Sequence, residues 1–356
     1  MQSLQQSRRS DIVLARVLGM GMIVLCHTLG FYTFLPGSQY AEQFLNVGVE
    51  VFLTISGFLY GTKTIERFGP WFLKRAQRIL IPVAIVSAVD FLVLYFVSGV
   101  RTSPSTVIAY LLNLQGLLFV NWDLFGRFFS EVPNLGPLWF TTIIMICYLF
   151  VPLFQRFRDS VKRERKLPVY SAVILSLFLV SFLLDWFAKT TVFYFVVFWV
   201  GYLLADLQVD KTDFKFGRCV VLCCAIFAAL LLRLLTNVYM DGTPLYLCLI
   251  PIEYSVIGPS FVCLIMETRK KFPLFFDKLG ASKMVTFLDG GSMYIYLVHG
   301  IFCRGEYNIY GKTNLFIATV FFIVATTVCA KILWLATDGT NKLLDKAFQK
   351  NKSHRE

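Results

Sequence analysis

The chain has 356 residues, 57% hydrophobic and only 16% charged, and its 34 Lys+Arg against 22 Asp+Glu give a formal net charge of +12. A soluble domain carries about 25% charged residues, so most of this backbone must lie in hydrocarbon or in a very large apolar core. The positive excess does not signal nucleic acid, because the basic residues cluster between apolar stretches, where anionic lipid and the positive-inside rule would hold them.

Near-continuous apolar runs at Val173–Phe182, Val192–Leu204, Val220–Leu232 and Phe316–Ala330 sit within segments that reach the roughly 20 residues a bilayer crossing needs. A membrane barrel would instead show short alternating segments, so helices are the spanning element. In chain order the pattern predicts spans near 12–34, 44–62, 79–97, 136–155, 169–187, 191–206, 217–236, 245–266, 285–303 and 315–336. The expected fold class is all-α, a polytopic membrane helical bundle with about ten transmembrane helices. It forms one membrane domain over 1–340, followed by a basic cytoplasmic tail at 341–356. The first apolar stretch is too long for a cleavable signal peptide. Cysteines such as Cys147, Cys223, Cys224 and Cys329 fall inside apolar runs, with no CxxC pair, and read as small buried hydrophobes.

Orientation follows from the basic residues. With the N-terminus inside, most of the 34 fall in cytoplasmic segments: Arg8 and Arg9, the stretches Lys63–Arg78, Arg156–Lys166, Lys211–Arg218 and Arg269–Lys283, and the tail from Lys342 to Arg355. Both termini are then cytoplasmic. A full crossing at Val107–Val120 would turn the Arg156–Lys166 loop outward, so 98–135 is read as one long outer segment containing a re-entrant or interfacial helix. It is either a shaped surface, serving as a lid or part of an acceptor groove, or a plain connecting loop.

Ionisable side chains inside spans are expensive and therefore mark candidate sites. His27 and His299 lie in spans, while His354 belongs to the polar tail. Eleven residues separate Arg16 from His27, which returns nearly to the same helix face, with His27 about 16 Å farther out. Glu50 opens the second span at nearly the depth expected for His27, where a carboxylate would fix the imidazole tautomer and raise its basicity. For His27 the bland alternative is a helix-packing hydrogen bond. Ser56 could be a nucleophile, but no strand-turn-helix elbow surrounds it and close helix packing explains it better. Asp90, Arg233 and Glu253 either line an acceptor cavity or, for the last two, pair with each other. Arg75 and Arg78 form an Arg-x-x-Arg pair on one helix face, suited to phosphate or to plain interfacial anchoring.

Several of these residues fall in motifs that resemble the bacterial acyltransferase-3 family of integral membrane O-acyltransferases. The likeness runs from Asp11-x4-Arg16-x10-His27 through Gly48-Val-Glu-Val-Phe-Leu-Thr-Ile-Ser-Gly-Phe-Leu59 and Phe72-Leu-Lys-Arg75-Ala-Gln-Arg78-Ile-Leu-Ile-Pro82. It continues through Leu138-Trp-Phe140, Tyr148, Pro152, Gly201 and Ser292-Met-Tyr-Ile-Tyr-Leu-Val-His299, in family order. Two positions depart from the pattern. Ile144 stands where many members carry a polar residue, which brings the chain nearer the small stand-alone branch, and Glu50 replaces the commoner Asp.

The resemblance implies transfer of an acyl group, acetyl by family default, from cytoplasmic acyl-CoA to a hydroxyl of a cell-surface or lipid-linked glycan at the outer face of a bacterial inner membrane. His27 and Glu50 would be catalytic, and Arg16, Arg75 and Arg78 would bind the donor. Ser56, Asp90, Arg233, Glu253, Tyr294 and His299 would hold the acceptor or support the site. Acyl-CoA enters as substrate; no metal and no redox cofactor is expected, and the partners are the glycan and membrane lipid. Two other classes stay open: a glycan or lipid transporter using the same buried polar groups, and a non-catalytic component of an envelope assembly complex.

Overall fold

The computed structural model describes residues 9–32, 34, 37–38, 44–184, 189–239 and 244–353. Arg8, His354 and Arg355, assigned above to the cytoplasmic ends, lie outside the described residues. In chain order the helices are α1 (Ser10–Thr28), α2 (Gly48–Gly61), α3 (Phe68–Val97), α4 (Pro104–Leu111), α5 (Leu117–Val120), α6 (Trp122–Phe125), α7 (Trp139–Leu149) and α8 (Val151–Ser160). There follow α9 (Arg163–Leu184), α10 (Lys189–Asp206), α11 (Phe216–Tyr239), α12 (Pro244–Lys271), α13 (Pro273–Gly280), α14 (Lys283–Cys303) and α15 (Leu315–Ser353). Short 3₁₀ turns include Pro133–Leu138 and Gly305–Tyr307. The described residues contain no sheet, only an isolated bridge between Tyr310 and Thr313.

Among the described residues, five helical stretches are long and apolar enough to cross a membrane: Ser10–Phe31, Phe68–Val97, Pro133–Ser160, Phe216–Tyr239 and Leu315–Leu344. Gly48–Gly61 and Tyr194–Asp206 are shorter apolar helices. The protein is thus a polytopic all-α membrane protein.

Three boundaries differ from the sequence reading, each for a local reason. The expected span at 136–155 is broken at Phe150, where α7 ends and α8 restarts with Pro152 in its first turn. A proline there lacks only an amide hydrogen that the helix start leaves unpaired anyway. The third helix begins at Phe68 rather than 79 and continues unbroken through Pro82, so Arg75 and Arg78 ride on the same helix as the span. The last helix runs past the expected span end at 336, since α15 continues to Ser353, with an i,i+4 pair of Lys342 and Asp338 at 2.7 Å on its way.

The chain divides into two compact units, with the division falling inside α5, α7 and α14. The first comprises Met1–Glu66, Phe119–Asn121 and Ile146–Ser292. Its core gathers Ile12, Ala15, Val51, Phe58, Val262, Phe276 and Val285, beside an aromatic cluster in which Phe154 stacks on Trp199 at 5.2 Å. Two glycines let α2 and α10 touch backbone to backbone. A Cβ at Gly57 would strike the Phe198 carbonyl, and one at Gly201 would strike that of Thr54.

The second unit comprises Arg67–Leu118, Trp122–Met145 and Met293–Glu356. In it α4 is capped by Ser103, whose Oγ accepts from the Thr106 amide, with Pro104 next. Eight residues of helix rise only about 12 Å, so α4 by itself is too short to cross a bilayer. The turn after α4 is instead pinned to α7: the Gly116 amide donates to Thr142 Oγ1 at 3.0 Å, and Gln115 Nε2 donates to the Leu138 carbonyl at 2.9 Å.

Candidate active site

The first unit holds the densest set of buried charges. Helix α1 begins under a clamp. Arg9 bonds Asp11 at 2.5 Å and Asp210 at 2.7 Å, and its guanidinium lies 5.0 Å over the Phe58 ring. Asp11 in the first turn also complements the helix dipole. From this fixed base α1 is a regular α-helix through Thr28, so Arg16 and His27 share one face about 16 Å apart.

Arg16 does not stand alone on that face. Its NH1 donates to Asp289 Oδ1 of α14 at 2.7 Å, with the carboxylate 0% and the guanidinium 28% exposed. The buried acid fixes one edge of a planar cation while the rest stays accessible. Asp289 was missed in the sequence. The signal was present, because an acid inside the apolar run of α14 is itself an intramembrane charge.

His27 is half-buried near the far end of α1. Glu50 is 1% exposed, and its Oε2 has no hydrogen-bond partner. Helices α1 and α2 run antiparallel and meet where Gly48 faces Gly19 and Ile23. His27 therefore lies about one turn beyond that crossing and Glu50 about half a turn to the other side, separating their levels by roughly 9 Å. The matching depth expected from sequence is thus corrected, because the crossing point slides the two helices past each other. The Glu50 backbone and Cβ lie against Gly258 of α12.

Around the start of α2, Arg233 donates to the Asn46 carbonyl at 3.2 Å and to the Tyr254 hydroxyl, and lies 4.3 Å over the Tyr254 ring. Glu253 accepts from Thr236 at 2.9 Å. Arg233 and Glu253 therefore each take other hydrogen-bond partners, with Tyr254 the member that the sequence reading did not name. Ser56 is half-buried within unbroken α2, and the helix around it provides no nucleophile elbow.

The second unit holds the other candidates. Arg75 is half-buried and Arg78 exposed, three residues apart on α3. Asp90 is buried; its Oδ1 accepts from Asn134 Nδ2 at 3.3 Å and its Oδ2 has no hydrogen-bond partner. Tyr294 stacks flat on Trp334 at 5.8 Å. His299 is 0% exposed, with Nδ1 2.6 Å from the Tyr296 carbonyl of its own helix. The Tyr296 hydroxyl in turn donates to the Pro137 carbonyl. Among the described residues, no group of three or more His, Cys, Asp or Glu could hold a metal ion.

A family model described as an acyltransferase domain matches residues 9–335. The chain belongs to the acyltransferase-3 family. No curated protein and no solved structure matches it. In this acyltransferase the match takes in every candidate above, from Arg16 to His299. An acyl transfer needs a base for the acceptor, a grip on the donor and a donor group for the oxyanion. The first unit offers an imidazole and a half-open guanidinium on one face of one helix, which suits the first two.

Proposed function

We propose that this acyltransferase moves an acyl group, acetyl in the first instance, from cytoplasmic acyl-CoA to a hydroxyl of a cell-surface or lipid-linked glycan at the outer face of a bacterial inner membrane. The chain would cross about ten times with both ends cytoplasmic. The observation that carries the reading is the Arg16–Asp289 pair on the His27 face of α1. A cation held by a fully buried acid keeps its geometry while presenting its remaining donors, as phosphate binding requires.

In the proposed reaction Arg16 binds a phosphate of the donor, and the family resemblance implies donor binding for Arg75 and Arg78 as well. His27 removes the proton of the acceptor hydroxyl as its oxygen attacks the thioester carbonyl. The tetrahedral intermediate then expels CoA thiolate, which takes up a proton, and leaves an O-acyl ester. Glu50 acts across the helix crossing, its negative charge favouring the imidazolium that forms when His27 accepts the proton. A direct transfer needs no acyl-enzyme, although a histidine nucleophile is chemically competent for one.

The test is mass spectrometry of surface glycans and their lipid-linked precursors from cells carrying wild-type protein, His27→Ala at equal membrane abundance, or no protein. The expected result is a fixed mass increment present only with wild type. Persistence of the increment in His27→Ala would remove His27 as base. Absence from every strain, with precursors redistributed across the membrane, would replace acyl transfer by transport.

A further inference from the structure

Separate from the first unit's charges, the second unit contains a cavity of about 430 Å³ at the C-terminal end of α3. Its wall includes Arg101, Ser103, Ser130, Glu131, Asn134 and Glu306. The floor is built rather than incidental. Asn134 is buried, donates to Asp90 Oδ1 at 3.3 Å and accepts from the Glu306 amide at 2.9 Å. Gly305 takes a left-handed φ of 61°, and a Cβ there would strike Asn134 Oδ1, so this tight joint between floor and wall requires glycine. Beneath it lies the unpartnered Oδ2 of Asp90.

The lining chemistry selects a ligand class. Glu131, Glu306, Arg101, Ser103 and Ser130 all line the cavity, with Glu131 Oε1 and the Arg304 guanidinium both close to Gly136 and the two serine hydroxyls joined through Thr106. Such a wall of both signs, with no net excess of positive charge, matches a neutral molecule rich in vicinal hydroxyls, which donate to carboxylates and accept from guanidinium. Leu94, Val100 and Val132 add apolar wall for the C–H face of a ring. The volume lies in the range of small-ligand sites and accommodates one or two sugar rings.

Position along α3 supports the same assignment. Arg75 and Leu94 lie nineteen residues apart on this continuous helix, about 28 Å along its axis. The basic pair and the cavity therefore sit at opposite ends of a length close to the hydrocarbon thickness. With the basic end cytoplasmic, the cavity opens at the outer face.

From these features we infer that this cavity binds the sugar acceptor, with Glu131, Glu306 and Arg101 as its recognition groups. The inference rests on the proposed glycan-acylating function, so its test uses no acyl donor. The purified protein in lipid nanodiscs is examined by saturation-transfer NMR with methyl β-D-glucopyranoside and methyl 2-acetamido-2-deoxy-β-D-glucopyranoside. Transfer to ring protons is expected for wild type, reduced roughly tenfold in an Arg101→Ala, Glu131→Gln double variant. The thermal melting profile of the variant reports that it is folded, and Gly217→Ala, where an added Cβ meets nothing and which lies in the other unit, serves as a second variant that keeps wild-type transfer. Absence of transfer to wild type, or equal transfer to the folded double variant, overturns the inference. Glycan mass spectrometry reads the acyltransferase function separately, so a missing mass increment with intact sugar binding would sink that function and leave the sugar site standing.

Discussion

Asp289, fully buried on α14, holds the Arg16 guanidinium of α1 at 2.7 Å, and both stand about six residues from the start of their helices. The pair couples two helices at one depth and leaves part of the cation open. Asp289→Asn is expected to raise the KM for acetyl-CoA roughly tenfold with little change in kcat, since a charge-assisted bond to Arg16 is lost. In the Arg16→Ala background the same change should have almost no further effect. Steady-state kinetics on the four proteins checks this, and additive losses would mean that Asp289 acts independently of Arg16.

The two membrane histidines should separate cleanly. His27→Ala is expected to lower acyl transfer by at least about a hundredfold with an unchanged melting temperature, the loss of a general base. His299 is enclosed beside Tyr296. His299→Ala should therefore cost about 2 kcal/mol or more of stability from lost packing and hydrogen bonding, read as a lower melting temperature, while protein that remains folded keeps its kcat.

Glu50 should contribute through charge. Its negative charge would favour the imidazolium formed at His27, by an amount that falls with distance and rises as the local dielectric drops. Glu50→Gln should lower kcat by more than tenfold, and Glu50→Asp should retain most of the activity. Equal losses in both variants would assign Glu50 a packing role against Gly258.

Close contact between α2 and α10 should be intolerant of even a methyl group. Gly201→Ala forces the new carbon into the Thr54 backbone, where no flexible side chain can yield. A destabilisation of about 1–3 kcal/mol is expected, measurable as a loss of folded protein in detergent on mild heating, whereas Gly217→Ala, which meets nothing, should be neutral.

One surface carboxyl gives a pH dependence. The Ser10 hydroxyl at 2.6 Å, assisted by Arg269 at 3.3 Å, holds the Asp277 carboxyl below its ordinary value of 3.8. The folded state therefore gains stability above that value and loses it as pH falls through the lowered one. Wild type should melt above Asp277→Asn at neutral pH, and the difference should begin to shrink below about pH 4 and vanish only below the lowered value. A gap that does not shrink on acidification would show that the carboxylate charge is not its source.

The boundaries show where sequence reasoning reaches its limit. Apolar length and basic clustering sufficed for a helical membrane protein, and the eleven-residue spacing of Arg16 and His27 sufficed for a shared face, because one regular helix carries both. Gly201 was visible as a family position, but its partner Thr54 was not. The break at Phe150 was written in Pro152, yet apolar length outweighed it. Asp289 stood in plain view in an apolar run without any hint of which cation it would meet.

The sequence by itself determined that this chain is an all-α membrane protein of the acyltransferase-3 family, since bilayer energetics act on local composition and the motifs are local strings of residues. Tertiary structure decided which charges meet. Arg16 found Asp289, Arg233 found Tyr254 rather than a bond to Glu253, and Glu50 slid past the level of His27. The physical reason is that helix crossing points are set by where glycines permit backbones to touch, and a shift of a few residues there moves every side chain on the helix by several ångströms.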